Sequence, residues 1–470
     1  MSTIKVNTVT KRTGSTLTLG ESGTTVTLAC GATQTGFGRS GSVNWQTTPK
    51  TATFTAVNGE GYFANTSGGA FTINLPAGSA GAIVAVSDYT RTFATNNLTI
   101  APNGSEKIGG VAETLLLDIN GQALTLVYVD ATEGWINVQN AEDTETGLAA
   151  AYVTATGGTI TTSGDFKIHT FNADATFTVS CAGNPKGSDK VDYIVVAGAG
   201  GGGRGTDNGG GGGGAGGFRM SNSYSLPAPT TSPLASPTGL PVSVQAYPVT
   251  VGAGGAGGSP PSCSGPGCSG SNSIFSTITS TGGGGAGGVP QSTFTGLNGG
   301  SGGGGAGESS GAGGTGNTPP VSPSQGFDGG SGSSAACIDA GGGGGGAAAV
   351  GGNAPNPDPS RRAGDGGIGS FASPSFAVSC AGTPGPVGSV RYFSGGGGGA
   401  SGRTGPTGAG PGTAGNGGSG GGGIGGTTPG TNTGTAGTAN TGGGGGGGTN
   451  CNSGGAGGSG IVIIRYKFQN

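Results

Sequence analysis

The sequence predicts an all-β protein in three parts: an N-terminal short-strand stem, a β-sandwich-like middle domain, and a C-terminal glycine-rich domain. In the last part, stacked polyglycine II helices are expected between flanking strands. Three observations carry this. Short period-2 strands separated by turn dipeptides fill residues 43–140. Glycine blocks recur from residue 198 onward. The chain then closes on IVIIRYKF at 461–468, a β-branched run with no place in a disordered tail.

Glycine supplies 118 of the 470 residues, without a Gly-X-Y period, which argues against collagen and by default suggests low complexity. Disordered chains, however, are usually highly charged, and here only 8% of residues are charged while Thr and Val are plentiful. A net charge of −3 provides no basic surface for phosphates, so no nucleic-acid partner is expected. No apolar run approaches the roughly 20 residues of a membrane span, and MSTIKVNTVTKR lacks the apolar stretch of a secretory signal. Cytoplasmic synthesis, no membrane insertion and free thiols are the matching expectations.

Residues 1–42 carry two β-like pieces, Thr16–Gly20 and Thr25–Ala29, nine residues apart. Strands this short bury little alone, so an attachment stem shared by several copies of the chain is expected. Residues 43–140 read as a β domain with strands at Thr51–Val57, Gly61–Ala64, Ala70–Leu75, Ala82–Ser87, Asn97–Ile100, Thr114–Asp118, Ala123–Asp130 and Gly134–Val138. Turn signals such as Asn58-Gly59 and Asn120-Gly121 separate them. Trp45 and Trp135 bracket the block as packing anchors. Residues 141–150, AEDTETGLAA, read as a solvated linker.

The third part, 151–470, opens with a strand lead-in over 151–197 and continues as glycine layers and loops over 198–460. Ile194–Val196 and the closing strand are expected to pair as its base. Ordering glycine costs about 1–2 kcal/mol of backbone entropy per residue, with no side chain to bury in return. Hydrogen bonding between closely packed backbones is what remains. Polyglycine II allows it, with three residues per turn and no Cβ to hold neighbours apart. A run such as Gly442–Gly448 would span roughly 20 Å, with the Thr/Pro segments as loops at the ends.

Sharper motifs fare poorly. Gly198-x-Gly200-x-x-Gly203 follows a strand but lacks the ensuing helix and the acidic residue of a dinucleotide site. Gly202–Asp207 opens like a calcium β-roll repeat but does not recur. One histidine, His169, makes a multi-histidine metal site or a Ser-His-Asp triad improbable, and it reads as an ordinary strand side chain. Asp88, Asp118, Asp130 and Asp165 show no clustering. No catalytic residue, cofactor or metal is expected. The seven cysteines form no disulfide framework. Cys263 and Cys268 either close a small loop or are free or adventitiously paired thiols, the latter being preferred.

Loops between glycine blocks are the candidate binding surfaces. Arg361 and Arg362, after NAPNPDPS with Asp358, read either as a contact for acidic sugars or as solvated side chains. Phe294 and Asn317 stand in comparable segments, as do Ser221–Pro248, Ser259–Asn272, Thr404–Asn416 and Thr427–Thr441.

Several segments taken together resemble the tail-fibre proteins of marine, cyanobacterium-infecting phages. These are VNWQTTPKTATFTAVNGEGYFANTSGGAFTINLP, TFATNNLTI, LTLVYVDATEGW, VDYIVVAGAGGGG, GGAGGFR and GGSGIVIIRYK. The glycine-rich half also resembles the polyglycine-sandwich domain of phage distal-tip adhesins. The resemblance implies a non-enzymatic virion protein, a homotrimeric fibre or spike. It would join other tail or capsid proteins through its N-terminus and bind a host surface glycan or outer-membrane protein. A capsid-attached fibre or decoration protein, and a glycan-degrading tail spike, are the alternatives. A long fibre usually has an extended shaft, and here only residues 1–42 are available for one.

Overall fold

The computed structural model describes residues 43–139, 150–185, 187–226, 231–259, 265–289, 293–335, 338–355, 362–376, 381–402 and 412–469. The expected stem and nearly all of the expected linker lie outside these residues. The chain divides into two compact units, Met1–Ala149 and Ala150–Asn470. Both are all-β, with no α-helix among the described residues.

The first unit contains β1 (Asn44–Lys50), β2 (Phe54–Thr55), β3 (Glu60–Ala64), β4 (Phe71–Asn74), β5 (Ile83–Asp88), β6 (Leu98–Ala101), β7 (Leu115–Leu117), β8 (Ala123–Asp130) and β9 (Gly134–Asn137). Two sheets, ordered β1-β3-β5-β8-β9 and β2-β4-β6-β7, share one apolar core. The first six strands alternate between the sheets, and within each sheet they pair in parallel. The chain therefore winds as a coil before β7, β8 and β9 finish it with antiparallel pairs. Period-2 alternation gives each strand an inner and an outer face whichever way its neighbour runs, so the sequence shows the strands and not the winding. Trp135 is fully buried in this core. Trp45 is not an anchor: it is 40% exposed on edge strand β1, where its ring covers Gly61 and lies 5.0 Å from Phe63.

The second unit begins with β10 (Val153–Thr156), β11 (Thr159–Ser163), β12 (Phe166–Phe171), β13 (Ala175–Ala182), β14 (Lys190–Val196), β15 (Phe218–Ser221), β16 (Ala235–Ser236), β17 (Leu240–Pro241), β18 (Ala246–Thr250), β19 (Ser273–Phe275) and β20 (Ile278–Ser280). Two short antiparallel pairs, β21 (Ser333–Ala335) with β22 (Ile338–Ala340) and β23 (Ser370–Ala372) with β24 (Arg391–Phe393), follow, and β25 (Ile461–Lys467) ends it. β25 lies between β12 and β14, antiparallel to both. Its two faces enter different cores. Val462, Ile464 and Tyr466 meet the sheet β10-β13-β18-β19-β20, while Ile461 and Ile463 meet Phe218, Phe376 and Phe393. That double burial is why the strand reads as a continuous apolar run.

One charge interrupts the run. Arg465 stands directly across from Asp192 of β14, and both side chains are fully buried. Arg465 Nη2 donates to Asp192 Oδ2 at 3.1 Å, and the Phe166 and Phe376 rings lie 4.5 and 4.4 Å from the guanidinium carbon. Asp192 Oδ1 accepts from the hydroxyls of Ser221 and Ser223 and the Ser223 amide, at 2.8–2.9 Å. Desolvation lowers the pKa of Arg465, opposed by Asp192.

The glycine runs stack beyond the sheet. Along residues 197–204 every third amide donates to the same neighbour. Ala197, Gly200 and Gly203 reach Gly217, Gly214 and Gly211; Gly198, Gly201 and Arg204 reach Ser271, Cys268 and Gly265; Ala199 and Gly202 reach Gly458 and Gly455. Its carbonyls accept, with the same period, from 283–289, 255–258 and 445–448, and all these bonds span 2.7–3.1 Å. A period of three is that of polyglycine II, and six surrounding neighbours make a hexagonal bundle. Residues 209–217 are likewise surrounded, donating to 339–345, 442–448 and 281–287 and accepting from 197–203, 301–307 and 397–400. The two helices of the first glycine block thus occupy the centre.

Candidate functional site

Because each glycine helix runs to or from the sheet, the bundle has a sheet end and a far end. The turn Gly205–Asn208 joins the two central helices at the far end. Around it, Asn208 Nδ2 donates to Glu308 Oε2 at 3.0 Å and Arg204 Nε donates to the Cys451 carbonyl at 3.3 Å. The Asp339 carbonyl takes the amides of Gly209 and Gly402. Burial raises the Asp339 carboxyl pKa; Ser334 opposes the shift and Glu308 adds to it.

The predicted candidates among the described residues do not form one surface. Arg361 and Asp358 lie outside the described residues. Arg362 is exposed near the far end, paired with Asp365. Phe294 is half-buried near the far end, its carbonyl accepting from Ala306. Asn317 is at the sheet end, and its side chain organises its own loop: Oδ1 accepts from Val321 N and Nδ2 donates to Val321 O, both at 3.1 Å. That loop is tied down by the buried Gln325, whose Oε1 accepts from Thr281 N and whose carbonyl accepts from Phe218 N. The segment 221–248 is also at the sheet end, contributing β16, β17 and β18.

Sequence reasoning missed a pattern in the outer helices. Residues 362–369 read RAGDGGIG and 413–419 read TAGNGGS. Every third position is not glycine, and Arg362, Ile368, Thr413 and Asn416 are exposed while Asp365 and Ser419 are half-exposed. Three residues complete one turn, so such positions share one side of a helix, and that side faces solvent. Pure glycine runs are interior. The signal was present as a period of three, hidden among glycines.

The chemistry considered above is also placed. The amides of Gly198, Gly200 and Gly203, which a phosphate would need, are donated to Ser271, Gly214 and Gly211. Asp88 Oδ1 and Oδ2 collect the amides of Arg91 and Gly121 at 2.9 and 3.0 Å, and Asp130 holds Thr132 and Glu133 in a turn. His169 is buried, with Nδ1 donating to the Gly157 carbonyl at 2.7 Å and Nε2 3.2 Å from the Tyr466 hydroxyl. Cys268 is disulfide-bonded, which rules out a free thiol there; Cys263 lies outside the described residues. Cys181 and Cys451 are free and exposed.

A family model described as a glycine-rich domain matches residues 172–467, from just after β12 through β25. The chain belongs to that glycine-rich domain family. The match includes the bundle, β14 and the closing strand, so the family's extent ends where the fold closes. No curated protein matches the chain. No helix among the described residues is long and apolar enough to cross a membrane.

Proposed function

We propose that the chain is a structural virion protein, a phage tail fibre or spike that attaches the particle to a host cell surface without cleaving it. The observation that carries this reading is the bundle itself. A backbone-bonded frame holds turns of very different sequence at its far end, and binding usually resides in loops on a rigid frame. The resemblance of its segments to phage fibre proteins supplies the biological setting. Three copies joined through the N-terminal part would present three equal tips, so weak contacts combine through avidity.

Fluorescent full-length protein offered to cyanobacterial cells together with phage tests this. Competition with phage adsorption, a solution mass of three chains, and undiminished polysaccharide length are the expected results. Absence of competition, or shortening of the polysaccharide, contradicts it.

A further inference from the structure

Two adjacent outer helices bring together four polar side chains, of which the loop-based reading names Arg362 and the segment holding Thr413 and Asn416 but not Asp365. Helices 362–369 and 413–419 run parallel, with the amides of Ala363 and Gly366 donating to the carbonyls of Thr413 and Asn416. This register sets Arg362 beside Thr413 and Asp365 beside Asn416, one turn apart. Asp365 Oδ2 accepts from Arg362 Nη2, and Oδ1 accepts from the Asn416 amide at 2.8 Å and Asn416 Nδ2 at 3.4 Å. The cluster stays open to solvent, with Arg362 and Asp365 side chains 48% and 39% exposed.

An unpaired arginine would select an anion, and acidic sugars were the sequence-based expectation for Arg362. The chain's own carboxylate now fills that role. What remains outward is a local donor–acceptor array of no net charge: spare guanidinium N–H groups, carboxylate lone pairs, a threonine hydroxyl and a carboxamide. Adjacent donors and acceptors match a vicinal diol, whose two hydroxyls each donate and accept. The backbone bonds fix both helices before any ligand arrives, so little ordering accompanies binding.

We propose that Arg362, Asp365, Thr413 and Asn416 form a binding site for the vicinal hydroxyls of a neutral sugar on the side of the bundle. The proposal deepens the attachment reading and rests on it for its biological meaning.

Saturation-transfer NMR of the full chain with galactose, mannose, glucose and fucose, against galacturonate, reads the site. At least one neutral sugar binds, and Asp365→Asn weakens it by about tenfold or more, since a hydrogen bond to a charged group is lost. Asn416→Ala weakens it also, while thermal melting checks that each variant folds. The proposal is overturned if no neutral sugar binds, or if Asp365→Asn leaves the binding of the neutral sugar unchanged. Cell attachment separates the two levels. Attachment and sugar binding that are both unchanged by Asp365→Asn remove this site and leave attachment standing. Sugar binding sensitive to Asp365→Asn, with no attachment to cells, removes the attachment reading and leaves the site.

Discussion

At Gly213, in the middle of the bundle, a Cβ would fall 2.1 Å from the Gly200 carbonyl oxygen. Real Cβ atoms do not approach backbone oxygen so closely, and the obstructing atom belongs to a helix bonded on every side. Gly213→Ala is therefore expected to cost about 3 kcal/mol or more, at the upper end of overpacking, and calorimetry of the second unit's transition measures it. His169 makes a pH-dependent contribution. Desolvation lowers its imidazole pKa below the ordinary 6.5; the Gly157 hydrogen bond opposes this and Lys167 adds to it. Between the lowered folded value and 6.5 the unfolded chain binds more protons than the folded one. The stabilisation is complete above 6.5 and is lost as pH falls below it, by up to about 1.4 kcal/mol per pH unit within that window. Denaturant midpoints between pH 8 and 5 should fall in the wild type and fall less steeply in His169→Gln.

Among the elements, β25 has the largest consequence for its length. The two large cores of the second unit take side chains from it, and β12 and β14 have no other shared neighbour in that sheet. A chain ending at Gly460 should leave the second unit protease-sensitive from β10 onward while the first unit resists digestion; resistance of the bundle would contradict this. The pairing of β14 with β25 was legible from their apolar runs, but the register was not, because it depends on which charges are buried. In the structure the buried Asp192 stands across from the buried Arg465, and the same antiparallel register sets Val196 across from Ile461. The strands of the first unit were legible to within a few residues except β1, whose TTPK composition hides it. Their parallel winding was not, because alternation reports the face of a strand and not its partner. Likewise Arg362 was visible as a charge, whereas Asp365 became its companion through the three-residue turn of one helix and Asn416 only through the alignment of two.

For the whole molecule, the second unit replaces a side-chain core by a backbone one over much of its volume. Each central helix exchanges hydrogen bonds with six neighbours, so removing one exposes polar groups on all the others. Such a network should open cooperatively, together with the sheet that closes it. The glycine content alone pointed to disorder, and the low charge together with the apolar strands at both ends argued otherwise. Site-resolved hydrogen exchange of the amides from Gly198 to Gly217 distinguishes the two directly. The bundle predicts that the hydrogen-bonded amides of both central helices exchange as slowly as those of β14 and β25, at the rate of global unfolding. Exchange of those glycines at free-peptide rates, with β14 and β25 still protected, would contradict it.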